Sequence, residues 1–327
     1  MRLHILLLTA VLLMSNTHST QAADPVVFIS AFASGEKGAI HAFQFDSKTG
    51  VLKPLHRTTD IEHPFFLAVS PSGQHLYAID ARQFGGTENE FVAAFSIEGR
   101  TGKLKRLNRQ SSRGTASCYL TVDATGKTVV VANYSTGDVA ALPVNEDGSL
   151  GEPASYIKHE GASVDPARQK APYAHSIEIS PDNRFALAAD LGIDKVLIYR
   201  LDPKTAGLTI SPTQSSTSVS PGSGPRHLTF HPNGRRVYLI NELKNSVTFF
   251  EYEPKAGTLK SRQTISTLPA DFEGTSHCAD LKITPDGRFL YGTNRGHDSI
   301  AIYRIADDGQ LSLIRIQPSL GKGPQNL

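Results

Sequence analysis

The chain has 327 residues, with 33 Lys and Arg against 31 Asp and Glu, a net charge of +2, no Trp and two Cys. So even a charge balance leaves no footprint for nucleic acid and no polybasic membrane surface. Two cysteines without a CxxC spacing provide neither a disulfide framework nor a metal site.

The N-terminus differs from everything after it. Arg2 precedes an apolar run from Ile5 to Met14, and polar residues then lead to the small pair Ala22-Ala23. This order predicts a secretory signal over residues 1–23, with export of the mature protein to the periplasm or beyond. The run is shorter than the roughly 20 residues that span a bilayer, so no membrane association is expected of the mature form.

Three β-type runs follow, Val26 to Ala31, Ala39 to Phe45 and Leu52 to Thr58. After His63 a block recurs five times, each copy carrying one turn: SPSGQHLY, DATGKTVV, SPDNRFAL, HPNGRRVY and TPDGRFLY. The second residues of these octets, Pro71, Ala124, Pro181, Pro232 and Pro285, are 53, 57, 51 and 53 apart. A period of about fifty residues built from short strands and tight turns predicts a β-propeller over 24–327, with about six blades present. Each block resolves into four strands with period-two alternation, the third aromatic and aliphatic as in VAAFSI and VLIYRL. Blades so patterned stack and bury both faces of their inner strands. The first three runs form a blade lacking its innermost strand. Gly323-Pro324-Gln325-Asn326-Leu327 repeats the start of Gly224-Pro225-Arg226-His227-Leu228, so the last residues enter the first strand of another blade. Cys118 and Cys278 fall near the starts of the same strand in blades three apart, too far across a propeller axis to bridge, and are expected as free, buried thiols.

Aligning the blocks on the turn exposes the positions that depart from the repeat. Six residues before Pro71 and its equivalents the column reads Phe65, Cys118, His175, Arg226, Ala279 and, by the terminal match, Gln325. Ten residues after, it reads Ala81, Tyr134, Leu191, Glu242 and Arg295. The innermost strand begins where the second strand ends, so both columns emerge at one face near the axial channel. His175, Arg226, Glu242 and Arg295 are therefore expected to converge. Between them runs a regular polar column, Asp80, Asn133, Asp190, Asn241 and Asn294, of the kind that caps loops by bonding backbone N–H groups. A structural role recurs with the period, whereas the His, Arg, Glu and Arg each occur once in their columns.

The segments HEGASVDPARQKAPYAHSIEISPDNRFALAADLGIDKV, GPRHLTFHPNGRRVYLINELKNSV and HCADLKITPDGRFLYGTNRGHDSIAIY resemble the seven-bladed β-propeller lactonases. These include the cycloisomerase-type 6-phosphogluconolactonases and the carboxy-cis,cis-muconate lactonizing enzymes. The resemblance runs from about Asp24 to the last residue. It implies an all-β, seven-bladed-type propeller with four-stranded antiparallel blades, of which the last is largely missing. It also implies a catalytic set of His175, Arg226, Glu242 and Arg295, the four residues that the columns single out. Tyr173 and Asp165 stand where the family usually has His and Asn. Tyr173, His227, Asn241, Asn294 and Gln325, adjoining the catalytic set, are the candidates for substrate binding.

The implied activity is hydrolysis of a sugar lactone without metal or other cofactor. Ester hydrolysis needs a base to activate water, here Glu242 or His175, and positive charge where the carbonyl oxygen becomes anionic, here Arg226 with Arg295. No P-loop, dinucleotide fingerprint, GxSxG elbow or HExxH motif is present. Two other readings stay open: a muconate-type lactonizing cycloisomerase using the same residues, and a non-catalytic propeller that binds an acidic ligand. Closing a seven-bladed ring calls for about 45 further residues at this period, and the full-length protein is expected to be a monomer acting on a small molecule.

Overall fold

The turn that marks each repeat owes its shape to its fourth residue. Gly73, Gly126, Asn183, Gly234 and Gly287 all lie in the left-handed region, with φ between 60° and 73°, where glycine costs nothing and asparagine is the best-tolerated substitute. Asn183 repays its place: its Oδ1 accepts the Ala124 N–H at 2.9 Å and its Nδ2 donates to Asp123 at 2.8 Å, tying two adjacent blades together at their turns.

The computed structural model describes residues 24–327, so the expected signal segment 1–23 lies outside the described residues. Between them the described residues form six antiparallel sheets. The first has three strands, β1 (Val26–Ala31), β2 (Ala39–Phe45) and β3 (Leu52–Thr58), as expected of a blade without its inner strand. The second runs β4 (Leu67–Val69), β5 (His75–Asp80), β6 (Phe91–Ile97) and β7 (Leu104–Ser111). The third comprises β8 (Ser117–Val122), β9 (Thr128–Asn133), β10 (Asp138–Pro143) and β11 (Ser155–Lys158). The fourth has β12 (Ala174–Ile179), β13 (Phe185–Asp190), β14 (Lys195–Asp202) and β15 (Gly207–Ile210), with β16 (Ser216–Ser218) also pairing with β14. β17 (Pro225–Phe230) to β20 (Thr258–Ser266) make the fifth through β18 (Arg236–Asn241) and β19 (Ser246–Glu253). β21 (His277–Ile283), β22 (Phe289–Arg295), β23 (Ser299–Ile305) and β24 (Leu311–Pro318) make the sixth.

The core is distributed between neighbouring sheets. One cluster joins Tyr77, Ile79 and Val92 of the second sheet to Val129, Val131 and Leu142 of the third. Another joins Tyr238, Ile240 and Phe249 of the fifth to Leu290, Ala301 and Tyr303 of the sixth. Burying such faces at about 25 cal/mol per Å² is what holds blade to blade. Recurrent tyrosines reinforce it: Tyr77 donates to Gly148 O at 3.1 Å and Tyr238 to Gly309 O at 2.7 Å. Cys118 and Cys278 are free and buried. Among the described residues no helix is long and apolar enough to cross a membrane.

Four of the five described innermost strands share one irregularity, and only β4 pairs without it. The pairing of β8 with β9 skips Cys118, that of β12 with β13 skips His175, and that of β17 with β18 skips Arg226. In β21 the skipped residues are Ala279 and Asp280. A bulge leaves its extra residue outside the ladder and re-aims its side chain. From Cys118 to Ala279 the sequence column is therefore a column of bulges, which turns the His175 and Arg226 side chains toward the axis.

Candidate active site

A pocket of about 210 Å³ opens at the axial face, lined by His175 and Arg226 from the bulges, Glu242 and Arg295 from the ends of second strands, and Arg168, Cys118 and Gln325. Phe65, Phe84 and Tyr134 form its apolar side, with the Phe65 and Phe84 rings stacked at 4.8 Å between centroids. The expected convergence of His175, Arg226, Glu242 and Arg295 is thus realised in space.

Glu242 is the hub. Its Oε2 accepts Arg226 Nε at 3.0 Å and forms an ion pair with Arg295 Nη2 at 2.8 Å, and its Oε1 accepts Arg168 Nη2 at 2.7 Å. Burial works to raise the Glu242 carboxyl, but the charges of Arg226, Arg295 and Arg168 outweigh it and hold the group below the usual carboxylate range. Three guanidinium groups around one carboxylate leave the pocket with an excess of two positive charges. His175 Nε2 lies 3.8 Å from Glu242 Oε2, just beyond a direct hydrogen bond. Burial, and then the charges of Arg226 and His227, push the His175 imidazole well below its ordinary value, so it is neutral near pH 7. The Cys118 thiol sits 3.6 Å from His175 Nδ1 and is pushed far up by burial, which makes it unreactive.

Arg168 was not singled out from the sequence. It arrives from the loop between β11 and β12, where Asp165 Oδ1 accepts the backbone N–H of Ala167 at 2.8 Å and of Arg168 at 3.1 Å. Gln169 anchors the same loop through Nε2 to Leu191 O at 2.8 Å. The turn needs an acceptor oxygen at position 165, which Asp and Asn both supply. The only available signal was that Arg168 lies inside the long first motif of the family resemblance. Glu90 was missed as well: it is buried and accepts the backbone N–H of Gly85 at 2.7 Å, Ala116 at 2.9 Å and Ser117 at 2.6 Å, fixing the wall that carries Phe84 and Ala116.

The candidate substrate-binding residues separate. Gln325 lines the pocket. Tyr173 does not; it stacks behind Tyr134 at 4.9 Å. His227 is buried behind Arg226, bonded to Asp280 at 2.9 Å. Asn241 and Asn294 do not line the pocket either, because the Asn241 amide turns into its own blade and the Asn294 amide toward the connection between β20 and β21. Asn241 Nδ2 donates to Ser246 and Thr248, and Asn294 Nδ2 to Thr267 O and Ser299. The expected bonding of backbone N–H groups is made in this column by Asp80, to Glu62 at 3.1 Å, and by Asp190, to Tyr173 at 2.8 Å and Gly192 at 2.9 Å, whereas Asn241 and Asn294 donate to hydroxyls and one carbonyl instead. Among the larger clefts, two of about 710 and 630 Å³ are lined by residues around Arg82, Arg106 and Arg109 and carry no histidine, cysteine or serine.

The model of the family "Lactonase, 7-bladed beta-propeller" matches residues 26–327. A Bacillus subtilis (strain 168) protein named 6-phosphogluconolactonase is 35% identical over 300 residues, 91% of this chain and 83% of the relative. The crystal structure of a candidate 6-phosphogluconolactonase from Bacteroides fragilis superposes with a TM-score of 0.85 at 33% identity, covering 94% of this chain and 85% of that one. That of a Pseudomonas aeruginosa periplasmic gluconolactonase gives a TM-score of 0.83 at 30% identity, covering 91% and 84%.

Proposed function

Since the chain belongs to the seven-bladed β-propeller lactonase family and is a sugar lactonase, a hydrolase of cyclic esters, we propose that His175 is the base of the ring-opening reaction and that Glu242 orients the attacking water. The observation that carries this is the 3.8 Å separation of His175 Nε2 from Glu242 Oε2 beside three guanidinium groups. A water about 2.8 Å from both atoms fits that separation on the pocket side. His175 takes one of its protons while Glu242 accepts the other hydrogen. The hydroxide equivalent adds to the lactone carbonyl carbon, and the resulting oxyanion meets Arg226 or Arg295. Collapse breaks the ring C–O bond, and the imidazolium returns its proton to the departing alkoxide oxygen, giving the open hydroxy acid. Glu242 is the poorer base, because both its oxygens already accept hydrogen bonds from arginines that hold its proton affinity low.

The excess of two positive charges favours a lactone with an anionic substituent, which Arg168 at the pocket mouth is placed to meet. This agrees with the name of the Bacillus subtilis relative. The apolar side formed by Phe65, Phe84 and Tyr134 suits the face of a sugar ring. The N-terminal composition and the likeness to a periplasmic gluconolactonase support export to the periplasm, which fractionation of the producing cells tests directly.

A lactone panel in a pH-stat assay tests the reaction. Hydrolysis of a sugar δ-lactone is expected, faster for 6-phosphogluconolactone than for gluconolactone, with His175→Ala lowering kcat about 10²- to 10⁴-fold. Full activity of His175→Ala, or turnover of muconate without any lactone hydrolysis, would overturn the proposal.

A further inference from the structure

Arg226 is 1% exposed, and its guanidinium is gripped on two of its three nitrogens. Nε donates to Glu242 at 3.0 Å, while Nη1 donates to Ala279 O at 2.6 Å and faces His227 Nε2 at 3.1 Å. Nη2 makes no hydrogen bond to protein among the described residues, and it is the edge left for a ligand. A guanidinium only donates, so His227 Nε2 must accept. The proton of the neutral ring is then on Nδ1, which donates to Asp280 Oδ1 at 2.9 Å. Asp280 is held in turn: its Oδ2 accepts Lys282 Nζ at 2.7 Å and the Leu327 N–H at 3.0 Å, and its own N–H donates to Thr293 Oγ1 at 2.9 Å. Both His227 and Asp280 are buried. The inner-strand bulges place both partners, since one aims consecutive residues Arg226 and His227 inward and the other frees Ala279 and Asp280 from the ladder.

We propose that His227, locked by Asp280 in the tautomer with Nδ1 protonated, is a positioning residue for Arg226, holding the guanidinium so that its Nη2 edge faces the lactone. The opposite tautomer would set an N–H of His227 against an N–H of Arg226, and Asp280 excludes it. This rests on Arg226 meeting the substrate as described above.

Two substitutions separate positioning from packing. His227→Gln keeps an acceptor oxygen near the place of Nε2, whereas His227→Leu keeps comparable bulk and removes it. Activity is measured per folded molecule, with the folded fraction taken from thermal melts. His227→Gln is expected to stay within about threefold of wild-type kcat/KM, and His227→Leu to fall at least about tenfold through loss of an oriented charge contact. Equal activity in the two variants, whether both high or both low, overturns the positioning role. Crystal structures of the same variants give a readout that needs no turnover. The Arg226 guanidinium is expected in place in His227→Gln and rotated in His227→Leu, and an unmoved Arg226 in His227→Leu also overturns it. Absence of lactone hydrolysis by the wild-type protein would instead refute the reaction proposed above, and the crystal structures would still decide the role of His227.

Discussion

Replacing Glu242 by Gln keeps the size of the side chain and removes the one negative charge among three guanidinium groups. The native carboxylate pairs with Arg168 at 2.7 Å, Arg226 at 3.0 Å and Arg295 at 2.8 Å. Gln offers one oxygen, and its NH₂ group must face at least one of these donors. The side chain of Arg226 is 1% exposed, against 34% for Arg168 and 26% for Arg295. Stranding a buried charge costs about 3–5 kcal/mol, whereas the two partly hydrated partners add less than about 1 kcal/mol each. The expected destabilisation is therefore about 3–5 kcal/mol, a large share of the roughly 5–15 kcal/mol that stabilises a domain. Urea unfolding followed by far-UV circular dichroism suits a chain without Trp, and the midpoint should fall at unchanged slope. The pH dependence has a definite sign. The folded-state value of Glu242 is depressed, so its contribution is complete above the unfolded value of about 4.3 and disappears as pH falls through the folded value. Wild-type and variant stabilities should accordingly converge in acid. A loss below about 1 kcal/mol near neutrality, or a difference that persists unchanged in acid, would refute the view that Glu242 holds the arginines together.

Arg226→Ala and Arg295→Ala should each lower kcat/KM at least tenfold, about 1.4 kcal/mol or more of lost transition-state binding, in steady-state lactone hydrolysis; normal turnover in both would remove the catalytic assignment. His175 is held neutral, so kcat/KM should stay flat from neutrality down through pH of about 6.5 and fall only in more acid solution, once spontaneous hydrolysis is subtracted. His227 is lowered to about 4 by burial and by Arg226. The unfolded chain therefore takes up its proton first, and stability should drop by on the order of 3 kcal/mol between pH of about 6.5 and 4, a drop that His227→Gln reduces. Asp80→Ala, outside the pocket lining, should cost about 1–3 kcal/mol without changing kcat per folded enzyme. It removes one of the two carboxylates that hold Arg106, the other being Asp60 at 2.8 Å, and strands the Glu62 N–H, bonded at 3.1 Å.

What repeats was legible in the sequence. The Pro-Asp/Asn-Gly turns and the alternating third strands identify the blade, and the alignment of blades identifies two columns at one end of the disc. His175, Arg226, Glu242 and Arg295 could be drawn from those columns because an antiparallel hairpin puts its strand ends side by side whatever the side chains are. The polar column was legible for the same reason, although only Asp80 and Asp190 in it accept backbone N–H groups, while Asn241 and Asn294 donate to neighbouring hydroxyls.

What occurs once, and between blades, was decided by tertiary structure. Arg168 lies in a loop peculiar to the β11–β12 connection, so it belongs to no column, and only packing brings it across 74 residues of chain to Glu242. The bulges are invisible to a two-residue alternation, yet they are what point Cys118, His175 and Arg226 inward. The tautomer of His227 depends on Asp280 of the next blade at 2.9 Å. Periodicity reports the hydrogen-bonding and burial that every blade must satisfy alone, while the charges of a site are set by distances across blade interfaces, which no single repeat encodes.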